Sequence, residues 1–409
     1  MTETQCCTEC RRAVLSCSEQ QPSRGEWMHL FFTDENFLYH GINRPKIPFI
    51  CDDQMRLVDA PNKYLRYIAT ISGRTSSPRT WETYGNHLYE FFSFLEANSL
   101  SWKLIGLEEL AAWRDSMLHR ECSRTTVNQR LRCVQSFFKW ADNVKLIKGH
   151  PFVSQRVRAA KHKGLLAHLD CAANSTVASV LTLPTHQTLP KFLRLEEALE
   201  VVAAIESPTL KLKIYLALLS GMRREEIVHL SYTVLPNPCG RDISKLVPMT
   251  LDNRLTPTKG SKTRTVMLPY DLAAALWNYF CIEWPLRNLK FQQREGRDSE
   301  KLFLSSHGYE YSIRYLNNAL STISSKTGIT CRPHMLRHTY GTYEFLRVHR
   351  KYNSTQALLW LRDRMGHSSI SDTEKYVHTA ALLSNDELDQ YQLTILGALS
   401  NANKAKKNR

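Results

Sequence analysis

Four short segments in the second half of the chain concentrate cationic, imidazole and phenol side chains. They are SGMRREEI (220–227), TPTKGSKTRTVMLP (256–269), RPHMLRHTYG (332–341) and RMGHSSISDTEKYVH (364–378). Guanidinium groups bind anionic oxygens in a fixed fork geometry, imidazole moves protons near neutral pH, and a phenol can serve as a nucleophile. Each such side chain taken alone is more often structural or on the surface, so an active site is predicted only from the four segments together.

The third segment predicts the start of a helix. Pro333 suits the first helical turn, where its missing N–H is not needed, and His334 and Arg337 then share one face. His334 and His338 also have a metal-ligand spacing. However, no Glu follows His334, and Arg337 would place a cation beside the metal, so we predict no metal there.

The fourth segment places a tyrosine near the start of another helix. Ser371 and Glu374 have the spacing of a capping box. Tyr376 is therefore predicted in the first turns of a helix, just after a loop that carries His367.

The composition points to a basic globular protein. The chain has 409 residues, with 54 Lys and Arg against 39 Asp and Glu, and a net charge of +15. Its 43% hydrophobic and 23% charged residues exclude collagen, a low-complexity tail and a wholly disordered chain. The length predicts about two or three domains. The charge favours a polyanionic partner such as nucleic acid, although an anionic membrane surface stays open at this level.

No stretch approaches the ~20 apolar residues of a membrane helix, and the N-terminal residues lack the apolar core of a signal peptide. The 11 cysteines are odd in number and widely spread, which favours free thiols in a reducing compartment. We therefore expect a cytoplasmic, nucleoid-associated protein with no membrane partner.

One cysteine cluster leaves an alternative open. Cys6, Cys7, Cys10 and Cys17 include one C-x-x-C pair, which zinc favours. No second half-site follows at a suitable distance, so we predict free thiols near a frayed terminus and no metal.

Residues 75–153 have the periodicity of a small helical domain. Apolar residues recur at helical spacing around 84–95, 107–113 and 127–141, with Ser123 or Thr125 as the cap of the third helix. Arg79, Arg124 and Arg130 on this block are candidate DNA contacts, although a solvated charged face is the commoner explanation for any one of them. Before this block, residues 1–74 carry no motif. Within them 47–50 and 55–58 are predicted as short strands or arms, with Pro48 at an edge.

Residues 154–190 are predicted to be a basic linker, because a cationic stretch is followed by small residues and prolines. Arg156, Arg158 and Lys161 in it are candidate phosphate contacts, which would position the protein without reading sequence.

Beyond residue 190 the pattern is mostly helical with one small hairpin. The fold class is therefore mainly α with a small β-sheet, an α+β domain. LVPMT and TRTVML predict strands around the turn TKGSK, and KLFLS predicts another extended piece. Helical patterns cover 195–205, 209–219 before Gly221, 312–326, 334–347, 354–365 and 386–399.

In order and in spacing, the four segments resemble the boxes of the tyrosine recombinase family, the phage integrase type. The G-L-R-x-x-E-[LI] box corresponds to 221–227, the K-G-x-K-x-R turn to 259–264 and the H-x-L-R-H box to 334–338. The L-G-H box, with a tyrosine nine residues after its histidine, corresponds to 365–367 and Tyr376. Met222 and Met365 replace leucine and conserve volume. The resemblance covers about 190–385, and 75–152 is similar to the family's core-binding domain by pattern and position only.

The resemblance implies how the covalent step would be performed. Tyr376 would attack a DNA phosphodiester and form a 3′-phosphotyrosyl bond, which conserves the bond energy so that no ATP is needed. Arg223 and Arg337 would hold the non-bridging oxygens, where charge accumulates. Arg224 is adjacent to Arg223, but the spacing to Gly221 and Glu226 favours Arg223.

The resemblance also implies the proton transfers. Lys259 would protonate the leaving 5′ oxygen, with Lys262 as the alternative. His334 would accept or relay the tyrosine proton, and His367 would donate a hydrogen bond to the phosphate.

The remaining matched positions have supporting roles. Glu226 would orient this cluster or cap the local backbone, with a surface ion pair as the alternative. Lys262 and Arg264 are candidate DNA contacts on the hairpin. Because the cations supply what a metal would otherwise supply, no metal and no cofactor are expected.

The implied architecture is a C-shaped clamp on DNA. It has an N-terminal extension (1–74) for arm-type DNA binding or subunit contact, a helical SAM-like core-binding domain (75–153), the linker (154–190), the catalytic domain (191–400) and a basic tail (401–409). The implied partners are double-stranded recombination sites, three further copies in a homo-tetramer on DNA, and accessory or directionality factors. The helix at 386–399 would either be lent to a neighbouring subunit or dock on its own chain.

We predict an integrase or transposase of a mobile genetic element. One alternative is a type IB topoisomerase-like relaxing enzyme with the same chemistry. Another is a non-catalytic, sequence-specific DNA-binding accessory protein, against which the six intact residues argue.

Overall fold

The computed structural model describes residues 28–73, 77–158, 175–185, 189–256, 258, 263–367, 369–383, 391 and 394–398. The chain divides into two compact units. The first is Met1–Lys161 with Ala172–Gln187, and the second is His162–Cys171 with Thr188–Arg409. Cys6, Cys7, Cys10, Cys17 and the tail 401–409 lie outside the described residues.

The first unit is a helical bundle with small antiparallel strand pairs. β1 pairs with β4, β2 with β3, and β5 with β6. Its elements are β1 (His29–Phe32), β2 (Leu38–Tyr39), β3 (Ile42–Asn43), β4 (Pro48–Cys51), α1 (Asp59–Thr70), α2 (Pro78–Ala97), α3 (Leu107–His119), α4 (Arg124–Asn143), β5 (Ser154–Arg158) and β6 (Ser175–Ser179).

Aromatic side chains fill the core of this unit. Phe137 on α4 lies 5.6 Å from the ring of Phe92 on α2, 5.6 Å from Tyr64 on α1 and 5.3 Å from Trp102, measured between ring centroids. The predicted helices over 84–95, 107–113 and 127–141 are confirmed as α2, α3 and α4. Ser123, one of two predicted caps, accepts a hydrogen bond from the backbone N–H of Thr126 at 3.2 Å.

The helical core begins earlier than predicted. α1 was not predicted, yet its buried residues Tyr64, Leu65 and Ile68 belong to the same core as α2 and α4. Pro61 falls in the first turn of α1, where proline is tolerated, and so interrupts the apolar pattern without ending the helix. At 55–58, predicted as a short strand or an arm, no strand forms, and only Leu57 makes an isolated bridge, to Cys51. Pro48 does lie on an edge strand, opposite Phe32.

The segment predicted as a linker contains regular structure. β5 and β6 pair from Ser154–Ser179 to Arg158–Ser175, so part of the segment predicted as a basic linker forms a pair of strands. The segments SQRVR and STVAS consist mainly of small and polar residues around Val157 and Val177. They lack the alternation of apolar and polar residues that predicts a strand. Residues 159–174, which include Lys161, lie outside the described part.

The second unit is mainly helical around one hairpin, which confirms the predicted fold class. Its elements are α5 (Leu195–Ala203), α6 (Pro208–Ser220), α7 (Arg224–Val228), β7 (Val247–Leu251), β8 (Arg264–Leu268), α8 (Tyr270–Ile282), α9 (Trp284–Glu295), α10 (Ile313–Thr327), α11 (Pro333–His349), α12 (Ser354–Met365) and α13 (Ser371–Ala380). Within the described ranges, no helix has the length and apolar character needed to cross a membrane.

The predicted hairpin is confirmed. β7 and β8 pair antiparallel from Val247–Leu268 to Leu251–Arg264, and the side chains of β7 alternate between buried and exposed. The turn that joins them carries Lys259 and Lys262, and both lie outside the described residues. The KLFLS segment is extended, with isolated bridges at Lys301 and Leu304.

Helix α6 is buried on nearly all sides and ends where predicted. Gly221 follows it with φ of +64°, the left-handed conformation that favours glycine. A Cβ at Gly221 would lie 2.3 Å from the Tyr340 ring of α11, so the close approach of the two segments also requires glycine.

Two features near the C-terminal helices differ from the prediction. The helices α8 and α9 were not predicted, because Glu283, Trp284 and Pro285 interrupt one long apolar pattern that the chain splits into two helices. The prediction of a capping box formed by Ser371 and Glu374 is wrong. Ile370, which precedes Ser371, is already in the helical region (φ −63°, ψ −36°), whereas a capping residue needs extended backbone.

Most of 386–399 lies outside the described residues, but two of its side chains favour docking on the same chain. Tyr391 stacks on Tyr343 with ring centroids 3.9 Å apart, and its hydroxyl donates to the carbonyl of Leu218 at 3.1 Å. Ile395 is fully buried in the core of the second unit.

The aromatic core predicts the effect of a truncation. Phe137→Ala should lower the free energy of unfolding by about 3–5 kcal/mol, because the cavity left among the rings cannot collapse fully. Leu104→Ala is the matched control: Leu104 is 85% exposed, and its truncation should change stability by less than ~0.5 kcal/mol. Urea denaturation measures both, and equal effects would contradict this description of the core.

Candidate active site

The second unit brings the predicted chemistry together. Arg223, His334, Arg337 and His367 line one pocket of about 780 Å³, and Tyr376 lies buried beside them on α13. Lys259, the sixth predicted residue, lies outside the described part of the chain.

A buried carboxylate organises the arginines. Glu226, on α7, is fully buried and accepts from the backbone N–H of Arg223 at 2.6 Å and from the Arg223 guanidinium at 3.0 Å. The Oε2 atom that accepts from the Arg223 backbone also accepts from Arg264 of β8 at 2.6 Å, whereas the Arg223 guanidinium donates to Oε1. Burial alone would raise the pKa of Glu226, but the charge of Arg264 and the backbone N–H of Arg223 outweigh burial and hold it below the usual value. Glu226 therefore both caps the local backbone and joins α7 to the hairpin.

Arg337, on α11, is held by backbone carbonyls. Its guanidinium donates to the carbonyl of Gly221, the residue immediately after α6, and to the carbonyl of Met365 at 2.6 Å. Arg223 donates in the same way to the carbonyl of Gly366 at 2.9 Å. Burial, with the nearby charges of Arg223 and Arg264, lowers the pKa of Arg337 to about 9, so it stays protonated at neutral pH.

The tyrosine is sequestered in this structure. Tyr376 is 0% exposed, and its hydroxyl lies 2.9 Å from Nδ1 of His338. Burial raises the pKa of the Tyr376 phenol above its usual value, an effect that the charges of Arg337 and Arg223 oppose. Gly341, one turn along α11, gives the ring room, because a Cβ there would lie 2.6 Å from two of its carbons.

Two histidines, His338 and His367, lie near the Tyr376 ring, and a third, His334, lies against His338. The rings of His334 and His338 are 4.3 Å apart, and His334 is the exposed member of this pair. His367 lies parallel to the Tyr376 ring at 6.1 Å, and its Nδ1 is 2.9 Å from the hydroxyl of Thr373. Burial lowers the pKa of His338 to about 2 and that of His367 to about 3, so both rings are neutral at pH 7.

Sequence reasoning missed two features of this site. His338 was considered only as a metal ligand, yet it is the residue hydrogen-bonded to Tyr376; its i+4 spacing from His334 was the available signal. Arg264 was predicted as a DNA contact, whereas its side chain is 7% exposed and bound to Glu226. The pocket is also more basic than predicted, since Arg362, Arg364 and Lys375 line it, against Asp363 and Asp372.

The other predicted DNA contacts are only partly described. Arg79 and Arg124 are exposed on the first unit, and Arg130 is half-buried and pairs with Glu90 at 3.4 Å. Arg156 and Arg158 lie on β5. Across the described ranges, no three His, Cys, Asp or Glu side chains lie together as a metal site would require.

The Glu226 contacts predict a pH-dependent stability. Glu226→Gln should lower the free energy of unfolding at pH 7 by about 3–5 kcal/mol, because two largely buried guanidiniums lose their carboxylate partner. The folded-state pKa of Glu226 is depressed, so its contribution is present above about pH 5 and is lost as the pH falls through the folded pKa. Urea denaturation of both proteins across this pH range should show the gap closing.

Glu225→Gln is the matched control, since the Glu225 side chain is 40% exposed, and it should change stability by less than ~0.5 kcal/mol. A gap between wild type and Glu226→Gln that stays constant down to about pH 3 would contradict the buried ion pair.

Two family models match the chain. The phage integrase family matches residues 191–382, and the phage integrase N-terminal SAM-like domain matches residues 62–144. The second match begins within α1, in agreement with the helical core described above.

Curated relatives cover most of the chain. Tyrosine recombinase XerC of Bacillus subtilis (strain 168) is 27% identical over 318 residues, 74% of this chain and 87% of that protein. Tyrosine recombinase XerC of Oceanobacillus iheyensis is 24% identical over 311 residues, 75% of this chain and 87% of that protein.

Solved structures share the fold. The XerH site-specific recombinase bound to palindromic difH substrate, a post-cleavage complex, has a TM-score of 0.52 at 20% identity, over 76% of this chain and 79% of that one. The Tn1549 transposon integrase in complex with transposon right end DNA has a TM-score of 0.51 at 17% identity, over 83% of this chain and 98% of that one. With both family models matched in order, and the arginines, histidines and tyrosine of the motifs gathered in one unit, the chain belongs to the phage integrase family of tyrosine recombinases.

Proposed function

We propose that this tyrosine recombinase cuts and rejoins double-stranded DNA at specific sites through a covalent bond between Tyr376 and a 3′ phosphate. The observation that carries the proposal is the pocket in which Arg223, Arg337, His334 and His367 meet beside the buried phenol of Tyr376. Two guanidiniums fit the two non-bridging oxygens of one phosphodiester, and the phenol supplies the nucleophile.

In the first transfer, the Tyr376 oxygen bonds to phosphorus and the bond from phosphorus to the 5′ oxygen breaks. The 5′ oxygen takes a proton, for which Lys259 on the hairpin turn is the proposed donor and Lys262 the alternative. In the second transfer, a 5′ hydroxyl of the partner strand attacks the phosphotyrosine and releases Tyr376. No external energy source is required, because each transfer replaces one phosphodiester by another.

The arginines are oriented before DNA arrives. A guanidinium has five N–H donors, and Arg337 uses two of its nitrogens on the carbonyls of Gly221 and Met365. Arg223 uses one nitrogen on Glu226 and another on Gly366. These contacts fix both planes at the pocket wall, so little reorganisation is needed when charge develops on the phosphate.

The buried position of Tyr376 implies a conformational step. A phenol that is 0% exposed cannot reach a phosphate in the pocket without a movement of α13. We propose that DNA binding in the pocket promotes that movement, since the phosphate supplies negative charge to the surrounding cations.

The three histidines have different proposed roles at the Tyr376 hydroxyl and at the phosphate. His338 holds the phenol hydroxyl, and His334 lies next to it at the pocket wall, where it can accept or relay the proton. Because the pKa of His338 is lowered to about 2, this ring accepts a proton poorly at neutral pH. His338 therefore positions the phenol, and His334 accepts its proton. His367 donates to the phosphate.

The wider assembly follows from the family. We propose a homo-tetramer on two double-stranded sites, with accessory or directionality factors, acting at the nucleoid in the cytoplasm. Residues 75–153 would be the core-binding domain and residues 1–74 an arm or subunit contact. The cationic residues of this domain and of the linker 154–190 would contact the DNA backbone: Arg79, Arg124, Arg130, Arg156, Arg158 and Lys161. The likeness to a transposon integrase supports a mobile element, and the family placement favours recombination over DNA relaxation.

The covalent step has a direct test. Full-length protein is mixed, in EDTA, with a nicked suicide duplex from the ends of the element that encodes it. We expect a covalent protein–DNA adduct that Tyr376→Phe abolishes while DNA binding is kept, because phenylalanine has no hydroxyl to attack phosphorus. Tyr352→Phe, an exposed tyrosine in the same unit, is the matched control. An adduct that persists in Tyr376→Phe would refute the assignment.

The role of His338 is tested by the rate of the same reaction. His338→Ala should slow adduct formation by about 10²-fold with unchanged DNA affinity, because the phenol loses its described hydrogen-bond partner. His334→Ala should slow it as well and also alter the pH–rate profile. His378→Ala, an exposed histidine on α13, serves as the control. A normal single-turnover rate in His338→Ala would contradict a role for His338 and leave His334 as the only histidine that handles the Tyr376 hydroxyl.

A further inference from the structure

A second pocket adjoins the first and is not explained by the six predicted residues. It has a volume of about 670 Å³ and shares Arg223, His334 and Arg337 with the first pocket. Arg224 and Arg332 line only the second pocket, among the described residues. The two pockets therefore meet at the side chains proposed to hold the scissile phosphate.

Arg224 is positioned and half-buried at this second pocket. Its side chain is 25% exposed, and one terminal nitrogen donates to Oδ1 of Asn317, on α10, at 2.9 Å. Its contact with Glu225 is long, at 3.5 Å, and its buried Nε has no hydrogen-bond partner within the described structure. The guanidinium is thus fixed by an uncharged amide and keeps most of its charge available to a ligand.

The other groups of the pocket also suit an anion. Arg332 is exposed just before α11, and no described residue pairs with it. Arg223, Arg224, Arg332 and Arg337 face the pocket against the single carboxylate of Glu225. Ser321 of α10 adds a hydroxyl to the same wall.

A DNA strand carries one phosphate per ~3.4 Å of helix axis, so a phosphate held at the junction of the pockets has neighbours on both sides. We propose that the second pocket binds the phosphodiester next to the scissile one, with Arg224 and Arg332 as its cationic contacts. This inference rests on the proposed function, since it takes the scissile phosphate to lie at Arg223 and Arg337. Arg224 acts by fixing the register of the strand, and it does not enter the chemistry.

The first experiment measures binding without cleavage. In the Tyr376→Phe protein, the affinity for a labelled 30-base-pair duplex of mixed sequence is followed against KCl concentration. Adding Arg224→Gln should reduce the slope of log K against log salt by about one, because one phosphate contact is lost. Arg224→Lys should keep the slope, since the charge remains, and thermal unfolding checks that each variant is folded.

Arg297→Gln is the matched control, because Arg297 is an exposed arginine of the same unit that lines neither pocket. Its slope should equal that of the parent protein. An unchanged slope in Arg224→Gln, or an equal fall in Arg297→Gln, would overturn the proposal.

The second experiment locates the phosphate. Once the adduct position is mapped, a neutral methylphosphonate replaces the phosphodiester on either side of the cleaved one. The parent protein should lose affinity for one of the two duplexes, and Arg224→Gln should lose less affinity for that duplex than the parent does, because one of its two cationic contacts has already been removed. If the loss of affinity from Arg224→Gln and the loss from the methylphosphonate simply add on both duplexes, the proposal is overturned. Absence of any adduct with Tyr376 present would instead contradict the proposed function, so the two failures are distinguishable.

Discussion

The buried carboxylate of Glu226 is the contact on which the site depends. Arg223, Arg264 and Arg337 are three guanidiniums within one cluster, and burial together with the charges of the first two lowers the pKa of Arg337. Glu226 is fully buried between Arg223 and Arg264, so it offsets this repulsion where water cannot. It also joins α7 to the hairpin, whereas carbonyls after α6 and at the end of α12 hold the arginines from the other side. Several elements are thus tied together at one charge cluster.

This arrangement explains how a phosphate pocket can be strongly basic and still be ordered. Exposed cations would repel one another and sample many rotamers, at an entropic cost to each bound phosphate. Here the carbonyls of Gly221, Met365 and Gly366 accept hydrogen bonds from the guanidiniums of Arg223 and Arg337. The two side chains keep their charge, but their rotamers are restricted. The glycines at 221 and 366 both have positive φ, which lets these carbonyls approach the arginines closely. The fold thus supplies fixed positive charge at the proposed position of the phosphate.

The sequence predicted which side chains lie close together more fully than it predicted the elements around them. Arg223, Arg337 and His367 line one pocket beside Tyr376, as the spacing of the four segments predicted. The helices with strong apolar periodicity were also predicted, because that pattern is set by the helix itself. α1 and α9 were missed where a proline in the first turn interrupted the pattern, and β5 and β6 were missed because short polar strands have no periodic signal. The contact between His338 and Tyr376 spans 38 residues, and local spacing carries no information about such a contact.

The buried tyrosine has a consequence for the life of the protein in the cell. The site joins Arg223 to a turn 143 residues later, and Tyr376 reaches His338 from α13, far along the chain. Contacts of such sequence separation can form only after both segments have been synthesised. A nascent chain on the ribosome therefore contains Arg223 and Arg337 before it contains Tyr376, and a chain that stops before α13 lacks this phenol. Synthesis itself therefore delays the pairing of Tyr376 with His338 until most of the second unit has emerged.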